Sequence, residues 1–228
     1  MMRCTIALLA LLTLPQAARC AAAAESAAAK KFVQDRVERV LAILKDAKLE
    51  KSAQKEKVIK VADEMFDLPL MAKLSLGKRH WPKFSPEQRD KFTDLFVTTL
   101  KASYADKIDL ITDETVEFEE LERKSKTKFE MITNVVSADK RYKMIYKITA
   151  RDDGWRVYDV EIEGISIVRS YGSQYDQFLA DHSIKDLLEK MEKKAFGQPK
   201  ELEIKSEEIK NGSKAGGKKG AVGGEKGE

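Results

Sequence analysis

One stretch of this chain restricts its fold more than any other: a strand-like run that turns at a glycine into a helix-like run. From 154 to 162 hydrophobic and polar residues alternate, which is the two-residue period of a β-strand. A regular alternation predicts Trp155, Val157 and Asp159 on one face and Tyr158, Val160 and Ile162 on the other. Gly164 permits a sharp change of direction, and a helical pattern then runs to Tyr175. Both faces of such a strand are expected to be largely covered.

Helical spacing of hydrophobic residues marks the chain before this strand. It predicts two amphipathic helices, one from Phe32, Val33, Val37, Val40, Leu41 and Leu44, the other from Val58, Ile59, Ala62, Met65 and Phe66. A short helix from Leu68 is expected to end at Gly77. A longer helix is expected after Ser85, because Pro86 suits the first helical position and Gln88 completes a capping box. The apolar stripe of that helix is Phe92, Leu95, Phe96, Leu100, Tyr104 and Ile108.

The period of the hydrophobic pattern changes to two residues beyond Asp113. The alternating segments are 116–118, 129–135 and 142–148, joined by turn-forming residues at 137–140 and 152–154. Turns of this length connect neighbouring strands as antiparallel hairpins. Together with the strand at 154–162, this order predicts the α+β class. We expect one domain with a curved antiparallel sheet of about four strands, and helices before and after it.

Two blocks of residues together resemble a known family. The first is the strand-to-helix corner, with Trp155, Tyr158-Asp159 and Glu163-Gly164-Ile165-Ser166. The second runs through Phe66-Asp67, Met71-Ala72, Leu76-Gly77, Trp81, Ser85-Pro86-Glu87-Gln88, Phe92, Phe96, Leu100 and Tyr104. In order and spacing these blocks resemble the MlaC (toluene-tolerance) family of periplasmic phospholipid-binding proteins. Many relatives carry an arginine where this chain has Gly172, which puts any family role of that arginine in doubt here.

The resemblance implies a fold, a cargo and partners. It implies a sheet and helices that are NTF2-like in broad outline, a phospholipid ligand, and no catalysis. It also implies that lipid is shuttled through the periplasm between an outer-membrane lipoprotein complex and an inner-membrane ABC transporter complex. Contact with either membrane would then be peripheral or transient. A hopanoid-associated relative, which differs only in cargo, fits the same pattern.

The N-terminal segment is predicted to lie outside the folded domain, which is expected over 24–197. Residues 1–23 have the layout of a secretory signal: a positive start at Arg3, an apolar run from Thr5 to Leu14, and small residues around 17–24. The apolar run is too short to span a bilayer as a helix. Cys20 is compatible with a lipoprotein signal, but the residue before it is Arg19, where a small residue is expected. Cys4 and Cys20 are the only cysteines, so we expect no disulfide in the exported chain.

The C-terminal segment 198–228 is predicted to be disordered. Seven of the twelve glycines lie from Gly212 onward, mixed with lysine and glutamate. Such a composition buries too little apolar surface to offset the entropy lost on ordering. The net charge of +4 for the whole chain falls by two units without the arginines of the signal segment. The remaining balance gives no electrostatic argument for nucleic-acid binding.

The sequence contains no recognisable catalytic or metal-binding constellation and implies no cofactor. Beyond the signal segment it has no cysteine and two histidines, His80 and His182. Asp181-His182-Ser183 has the residue types of a triad, but adjacent residues cannot usually reach triad geometry, and Ser183 fits better as the N-cap of a helix over 184–191. The carboxylates Asp159, Glu161 and Glu163 are expected to form a solvated strand edge. A second interpretation is an exported hydrolase on an NTF2-like scaffold. It is disfavoured because the sequence offers so few nucleophile–base pairs.

Apolar residues on facing helix and strand surfaces indicate either a packed core or a cavity for acyl chains. The resemblance to lipid carriers favours the cavity. The residues expected to bind lipid there are Phe96, Leu100, Met131, Val135, Met144, Ile148, Val160, Ile165 and Val168. A non-lipid adaptor, in which the protein's own side chains fill that space, is the remaining alternative.

Overall fold

The computed structural model describes residues 16–105, 114–137 and 140–217, with side chains from residue 22 to residue 208 within these ranges. The helices are α1 (Gln16–Lys45), α2 (Lys51–Met65), α3 (Leu68–His80), α4 (Pro86–Ala105), α5 (Ile167–Asp181), α6 (Ile184–Glu192) and α7 (Lys200–Gly217), and a short 3-10 helix (Trp81–Lys83) follows α3. The strands are β1 (Thr115–Arg123), β2 (Lys128–Ser137), β3 (Lys140–Arg151), β4 (Gly154–Ile162) and β5 (Ile165–Ser166).

The five strands form one antiparallel sheet, in the same order as along the chain. β2 and β3 pair without a shift, so that Phe129 lies opposite Ile148 and Met131 opposite Tyr146. These residues share the inner face of the sheet, and Phe129 and Ile148 have no exposed surface. β5 has two residues and pairs with the end of β4. The structure confirms the predicted α+β class and its four long antiparallel strands, and it adds a short fifth strand at the edge.

A bulge in β4 interrupts the regular alternation predicted for it. The adjacent residues Lys147 and Ile148 of β3 pair with residues two apart on β4, which leaves Tyr158 as an extra residue. As a result Val157 and Val160 both belong to the hydrophobic core, with 0% and 3% of their surface exposed. The prediction that these two valines lie on opposite faces was wrong, because strict alternation holds only where the strand carries no bulge.

Aromatic residues of α4 and α5 lie at the centre of the helical layer. Phe92 packs edge-on against Tyr175 with ring centroids 5.3 Å apart, and Phe96 packs against Tyr171 at 5.6 Å. All four rings are fully buried. Phe92 and Phe96 belong to the apolar stripe predicted for this helix, and the structure confirms their place in the core. Ile108, the last member of that stripe, lies outside the described residues.

Helices α3 and α5 approach each other closely at Gly172. A Cβ atom built on Gly172 would lie 2.7 Å from the backbone oxygen of Ser75 in α3. Real Cβ atoms do not come that close to a carbonyl oxygen, so this helix spacing leaves no room for a side chain at 172. Glycine at this position is therefore required by the packing of α3 against α5.

The ends of two helices follow the capping residues predicted for them. The Ser85 N–H donates to Gln88 Oε1 at 2.9 Å, and the Gln88 N–H donates to Ser85 Oγ at 3.2 Å. This confirms the capping box at the start of α4. Ser183 and Asp186 form a second box at the start of α6. Gly77, the expected end of the short helix, has φ of +60° and breaks the geometry of α3, although helical structure continues to His80.

Asp159 holds the strand-to-helix corner together. It is 5% exposed, and it accepts hydrogen bonds from Ser166 Oγ at 2.7 Å and from the Val168 N–H at 3.1 Å. Lys147 Nζ lies 3.1 Å from the same carboxylate. The prediction of a solvated acidic edge was wrong for Asp159. The corner buries this carboxylate at the N-terminus of α5, where it satisfies a backbone donor that the helix leaves unpaired.

The C-terminal segment is more structured than its composition predicts. α7 spans Lys200–Gly217, and Leu202 is 1% exposed within the hydrophobic core. The prediction of disorder from 198 was therefore wrong as far as 217, whereas residues 218–228 lie outside the described residues. The glycine-rich composition begins only at Gly212, and averaging over the whole segment conceals the apolar residue ahead of it.

The predicted signal segment lies mostly outside the described residues, which begin at 16. Residues 16–23 are part of α1, and farther along this helix Glu25 forms an ion pair of 2.6 Å with Arg123 at the end of β1. Cleavage near residue 23 remains a prediction. Within the described part of the chain, no helix combines the length and the apolar character needed to cross a bilayer.

Candidate functional site

An apolar cavity of about 340 Å³ lies between the first two helices and the inner face of the sheet. The helical wall consists of Val37, Val40, Leu41, Val58, Val61, Ala62, Met65 and Phe66. The sheet wall consists of Val116, Val135, Tyr142, Met144, Tyr146 and Ile162, and the lining is completed by Arg36, Tyr104, Glu114 and Ser206. The volume is at the lower end of the range of about 300–1,000 Å³ that is typical of ligand pockets.

The strand register produces the continuous apolar surface of the sheet wall. Val135 of β2 lies opposite Val116 on one side and Tyr142 on the other. Met144 of β3 lies opposite Ile162 of β4. Directly opposed residues of antiparallel strands point to the same face, so these side chains form one surface. α1 and α2 supply the facing wall from residues at helical spacing.

Few polar groups border the cavity. Tyr146 is partly exposed, but its surface faces the cavity, and the loss of water raises the pKa of its hydroxyl to about 12. Glu114 is 4% exposed and accepts a hydrogen bond of 3.4 Å from Ser137 Oγ. Arg36 Nη1 donates to the backbone oxygen of Phe32 at 3.2 Å. A ligand with a long hydrocarbon body and few polar atoms matches this lining better than a polar metabolite does.

The C-terminal segment borders the cavity through two tyrosines. Gln198 Nε2 donates to the Tyr104 hydroxyl at 3.3 Å, and the Tyr142 hydroxyl donates to the backbone oxygen of Glu208 at 3.2 Å. Ser206 of α7 lies in the lining itself. This segment is therefore part of the cavity boundary, a role that the prediction of disorder did not foresee.

Two of the nine predicted lipid-binding residues, Val135 and Met144, line the apolar cavity. The other seven lie elsewhere: Phe96, Leu100, Met131, Ile148, Val160 and Val168 are buried in the hydrophobic core, and Ile165 is partly buried against it. Met131 and Val135 show the division on a single strand face, since Met131 has no exposed surface whereas Val135 reaches the cavity. Contact between lipid and these seven residues remains a prediction, and it requires the cavity to enlarge.

None of the nine residues predicted to bind lipid belongs to the helical wall of the cavity. Val37, Leu41, Val58 and Met65 belong to the apolar stripes that predict two amphipathic helices. A stripe that packs onto a core has the same spacing as one that borders a cavity, so the pattern does not separate the two roles. Only the three-dimensional arrangement of α1 and α2 over the sheet reveals these residues as cavity wall.

A second cavity, of about 620 Å³, lies between α4 and the C-terminal segment. Its lining combines apolar residues with hydroxyl and charged groups, among them Thr98, Thr99, Ser103, Glu192, Glu203 and Glu207. Although it is larger, these polar and acidic groups make it less suitable for hydrocarbon than the cavity under α1 and α2. The smaller, apolar cavity is therefore the candidate site.

The histidines and their neighbours have local structural roles. His182 Nδ1 donates to the backbone oxygen of Phe178 at 3.1 Å, and Ser183 caps α6 as predicted. His80 Nε2 lies 2.6 Å from Asp176 Oδ1, an interaction that links α3 to α5. Among the residues that the structure describes, no three His, Cys, Asp or Glu side chains converge in a way that could hold a metal ion.

Comparisons with known proteins agree with this fold. The structure matches that of a phospholipid-binding protein from Ralstonia solanacearum, solved in complex with a phospholipid, with a TM-score of 0.65 and 20% sequence identity. The match covers 79% of this chain and 98% of that one, and at this identity it establishes the fold alone. Curated protein sequences give no match. The model of the MlaC protein family matches residues 34–193, which is more than half of the chain. The chain belongs to the MlaC protein family.

Proposed function

We propose that this chain is a periplasmic carrier that binds the acyl chains of a phospholipid in the apolar cavity. It shuttles lipid between the outer and inner membranes by way of an ABC transport system, and it breaks no covalent bond. The observation that carries the proposal is the apolar cavity between α1, α2 and the sheet, in a chain of the MlaC protein family. The phospholipid bound to the Ralstonia protein of the same fold is further support.

The hydrocarbon of the lipid supplies the binding energy in this proposal. Each methylene group removed from water contributes about 0.8 kcal/mol. A methylene occupies a volume similar to the share of one water molecule in the liquid, about 30 Å³. The cavity of about 340 Å³ therefore holds on the order of ten methylene groups. Their transfer from water contributes about 8 kcal/mol, enough to retain a lipid during passage through an aqueous compartment.

A diacyl lipid has more methylene groups than this, so full loading requires the cavity to enlarge. Met131 and Val160 lie on the same inner face of the sheet as Met144, which already borders the cavity. Displacement of the helices that cover this face would extend the cavity across it. The core residues predicted to bind lipid would then contact the second acyl chain.

Loading and unloading require partners, because acyl chains in an apolar cavity and in a bilayer have similar free energies. A carrier with nearly equal affinity at both membranes moves lipid in neither direction, and a partner must change that balance at each end. We assign these roles to an outer-membrane lipoprotein complex and an inner-membrane ABC transporter complex, on the strength of the family resemblance. Contact with the membranes themselves is transient.

Native mass spectrometry of protein purified without detergent from a lipid-containing host tests the carrier proposal. The expected result is folded protein with the additional mass of a diacyl phospholipid, which disappears after organic extraction. Detection of bound hopanoid instead of phospholipid would support a carrier function with a different cargo. Repeated recovery of folded protein with neither lipid would contradict the proposal. Release of hydrolysed products from added phospholipid would support an exported hydrolase instead.

A further inference from the structure

Arg36 differs from the rest of the cavity lining. It projects from α1, next to Val37 and one helical turn before Val40, and among the described residues of the lining it is the one cation. Its guanidinium carbon lies 3.8 Å from the centre of the Phe32 ring, and Nη1 donates to the Phe32 backbone oxygen at 3.2 Å. This packing holds the guanidinium at the edge of the cavity rather than extended into solvent.

Among the residues that the structure describes, no carboxylate forms an ion pair with Arg36, although the charges of Glu64 and Asp35 act on it from farther away. Both of these acidic residues pair with other cations: Asp35 pairs with Lys31 at 2.7 Å, and Glu64 pairs with Arg39 at 2.8 Å. The Nε atom of Arg36 is buried and has no hydrogen-bond partner among the described residues. An arginine with one backbone acceptor and no ion pair in the described part of the chain retains most of its capacity to donate.

Partial desolvation acts on the charge of Arg36. The loss of solvent around the guanidinium lowers the pKa of Arg36 from its ordinary value, although the charge of Glu64 opposes that effect. An arginine side chain stays protonated in proteins despite such a shift, so the positive charge persists at the cavity. An anion placed against it would accept charge-assisted hydrogen bonds from the donors that have no partner among the described residues.

We infer that Arg36 binds the anionic group of an amphiphile whose hydrocarbon lies in the apolar cavity. The inference rests on the proposed lipid-carrier function and adds a charge requirement to it. A guanidinium edge presents two parallel donors, which match two oxygens of a phosphate or of a carboxylate. The ligand class is therefore an acyl chain with an anionic head, either a phospholipid phosphate or a free fatty acid. Glu114, the acidic residue of the lining, is held by Ser137 on the sheet wall.

The test compares lipids that have the same acyl chains and different heads. Delipidated full-length protein is titrated with vesicles that contain fluorescent dioleoyl phosphatidylglycerol or the corresponding neutral dioleoylglycerol, and with oleate. Arg36→Gln is expected to weaken uptake of the phospholipid by about ten-fold or more, the usual effect of losing a hydrogen-bonded charge pair, and to leave uptake of the neutral diacylglycerol within about two-fold. Arg36→Lys, which keeps the charge and loses the paired donors, should fall between wild type and Arg36→Gln.

Lys45→Gln is the matched control, because it removes the same charge from the same helix at an exposed residue that does not line the cavity. It should change none of the three uptakes. Loss of oleate uptake alone in Arg36→Gln would identify the anion as a carboxylate. Equal loss of charged and neutral lipids, or no loss of either, would overturn the inference. Wild-type protein that takes up none of the three would instead refute the carrier function, and the inference with it.

Discussion

Replacing Gly172 with alanine is expected to destabilise the protein, although the same change in the interior of an exposed helix stabilises it by about 1 kcal/mol. The difference arises because the new Cβ would lie 2.7 Å from the backbone oxygen of Ser75. A backbone atom cannot rotate away as a side chain can, so α3 and α5 must separate. Overpacking of this kind typically costs about 1–3 kcal/mol, occasionally more. Thermal unfolding should show a melting temperature lowered by several degrees.

Gly172→Arg should destabilise the protein further, because a long side chain follows the Cβ into the helix interface. Gly197→Ala is the control, since a Cβ at that loop position meets no atom within 4 Å. It should leave the melting temperature unchanged. If Gly172→Ala proved neutral or stabilising, the close approach of α3 and α5 at this position would be wrong.

Leu202→Ala is expected to cost about 2–5 kcal/mol, the usual loss for a large aliphatic side chain removed from a packed core. Leu202 is 1% exposed, whereas Ile204, two residues farther along α7, is 49% exposed. Ile204→Ala should therefore change the stability by no more than about 0.5 kcal/mol. Chemical denaturation of the two variants beside wild type provides the measurement.

Truncation after Gln198 should lower stability at least as much as Leu202→Ala. It removes Leu202 and the backbone oxygen of Glu208 that accepts the Tyr142 hydroxyl, and it uncovers part of the apolar cavity. A truncated chain with the stability of wild type would show that α7 does not dock on the domain. The segment would then behave as its glycine-rich composition suggests.

Local sequence signals predicted much of the fold. Ser85 and Ser183 cap helices because each places a side-chain oxygen and a partner three residues later, an arrangement that depends on no distant part of the chain. The hairpins follow in the same way from short turns between alternating segments. These features are encoded within a few residues and can be recognised in one sequence.

Features that depend on distant partners were not predictable in this way. The bulge at Tyr158 requires the register between β3 and β4, and only that register places Val157 and Val160 in the same core. In the sequence, Asp159 cannot be distinguished from a solvated strand carboxylate, because its partner at the start of α5 is brought to it only by the fold. In the sequence, Leu202 is an apolar residue within a polar segment, and its packing in the hydrophobic core depends on residues far away along the chain.

The candidate site falls between these two cases. Facing apolar stripes predicted a helix–sheet interface with the right composition, and Val135 and Met144 do line the cavity. The position of the cavity, under α1 and α2 rather than beside Phe96 of α4, depends on how far each helix stands from the sheet. The distance between a helix and the sheet is set by many contacts together, so no single sequence motif predicts it.

The amount of phospholipid bound by Val135→Trp tests most directly whether the apolar cavity holds the acyl chains. Val135 lies on the cavity wall, so an indole there should occupy space that hydrocarbon would otherwise fill, and the protein should fold. Val160→Trp, at a core position that is 3% exposed, should overpack and destabilise the protein instead. Val136→Trp is the matched control, because the adjacent residue of β2 points to the opposite face of the sheet and does not line the cavity.

The measurement is the ratio of phospholipid to protein after purification from the same host, with the melting temperature of each variant recorded beside it. Val135→Trp should remain folded and carry less than about half of the wild-type lipid, since the indole displaces much of the apolar volume. Val136→Trp should carry the full load. A folded Val135→Trp protein with a full load of phospholipid would contradict the assignment of the cavity between α1, α2 and the sheet as the lipid-binding site.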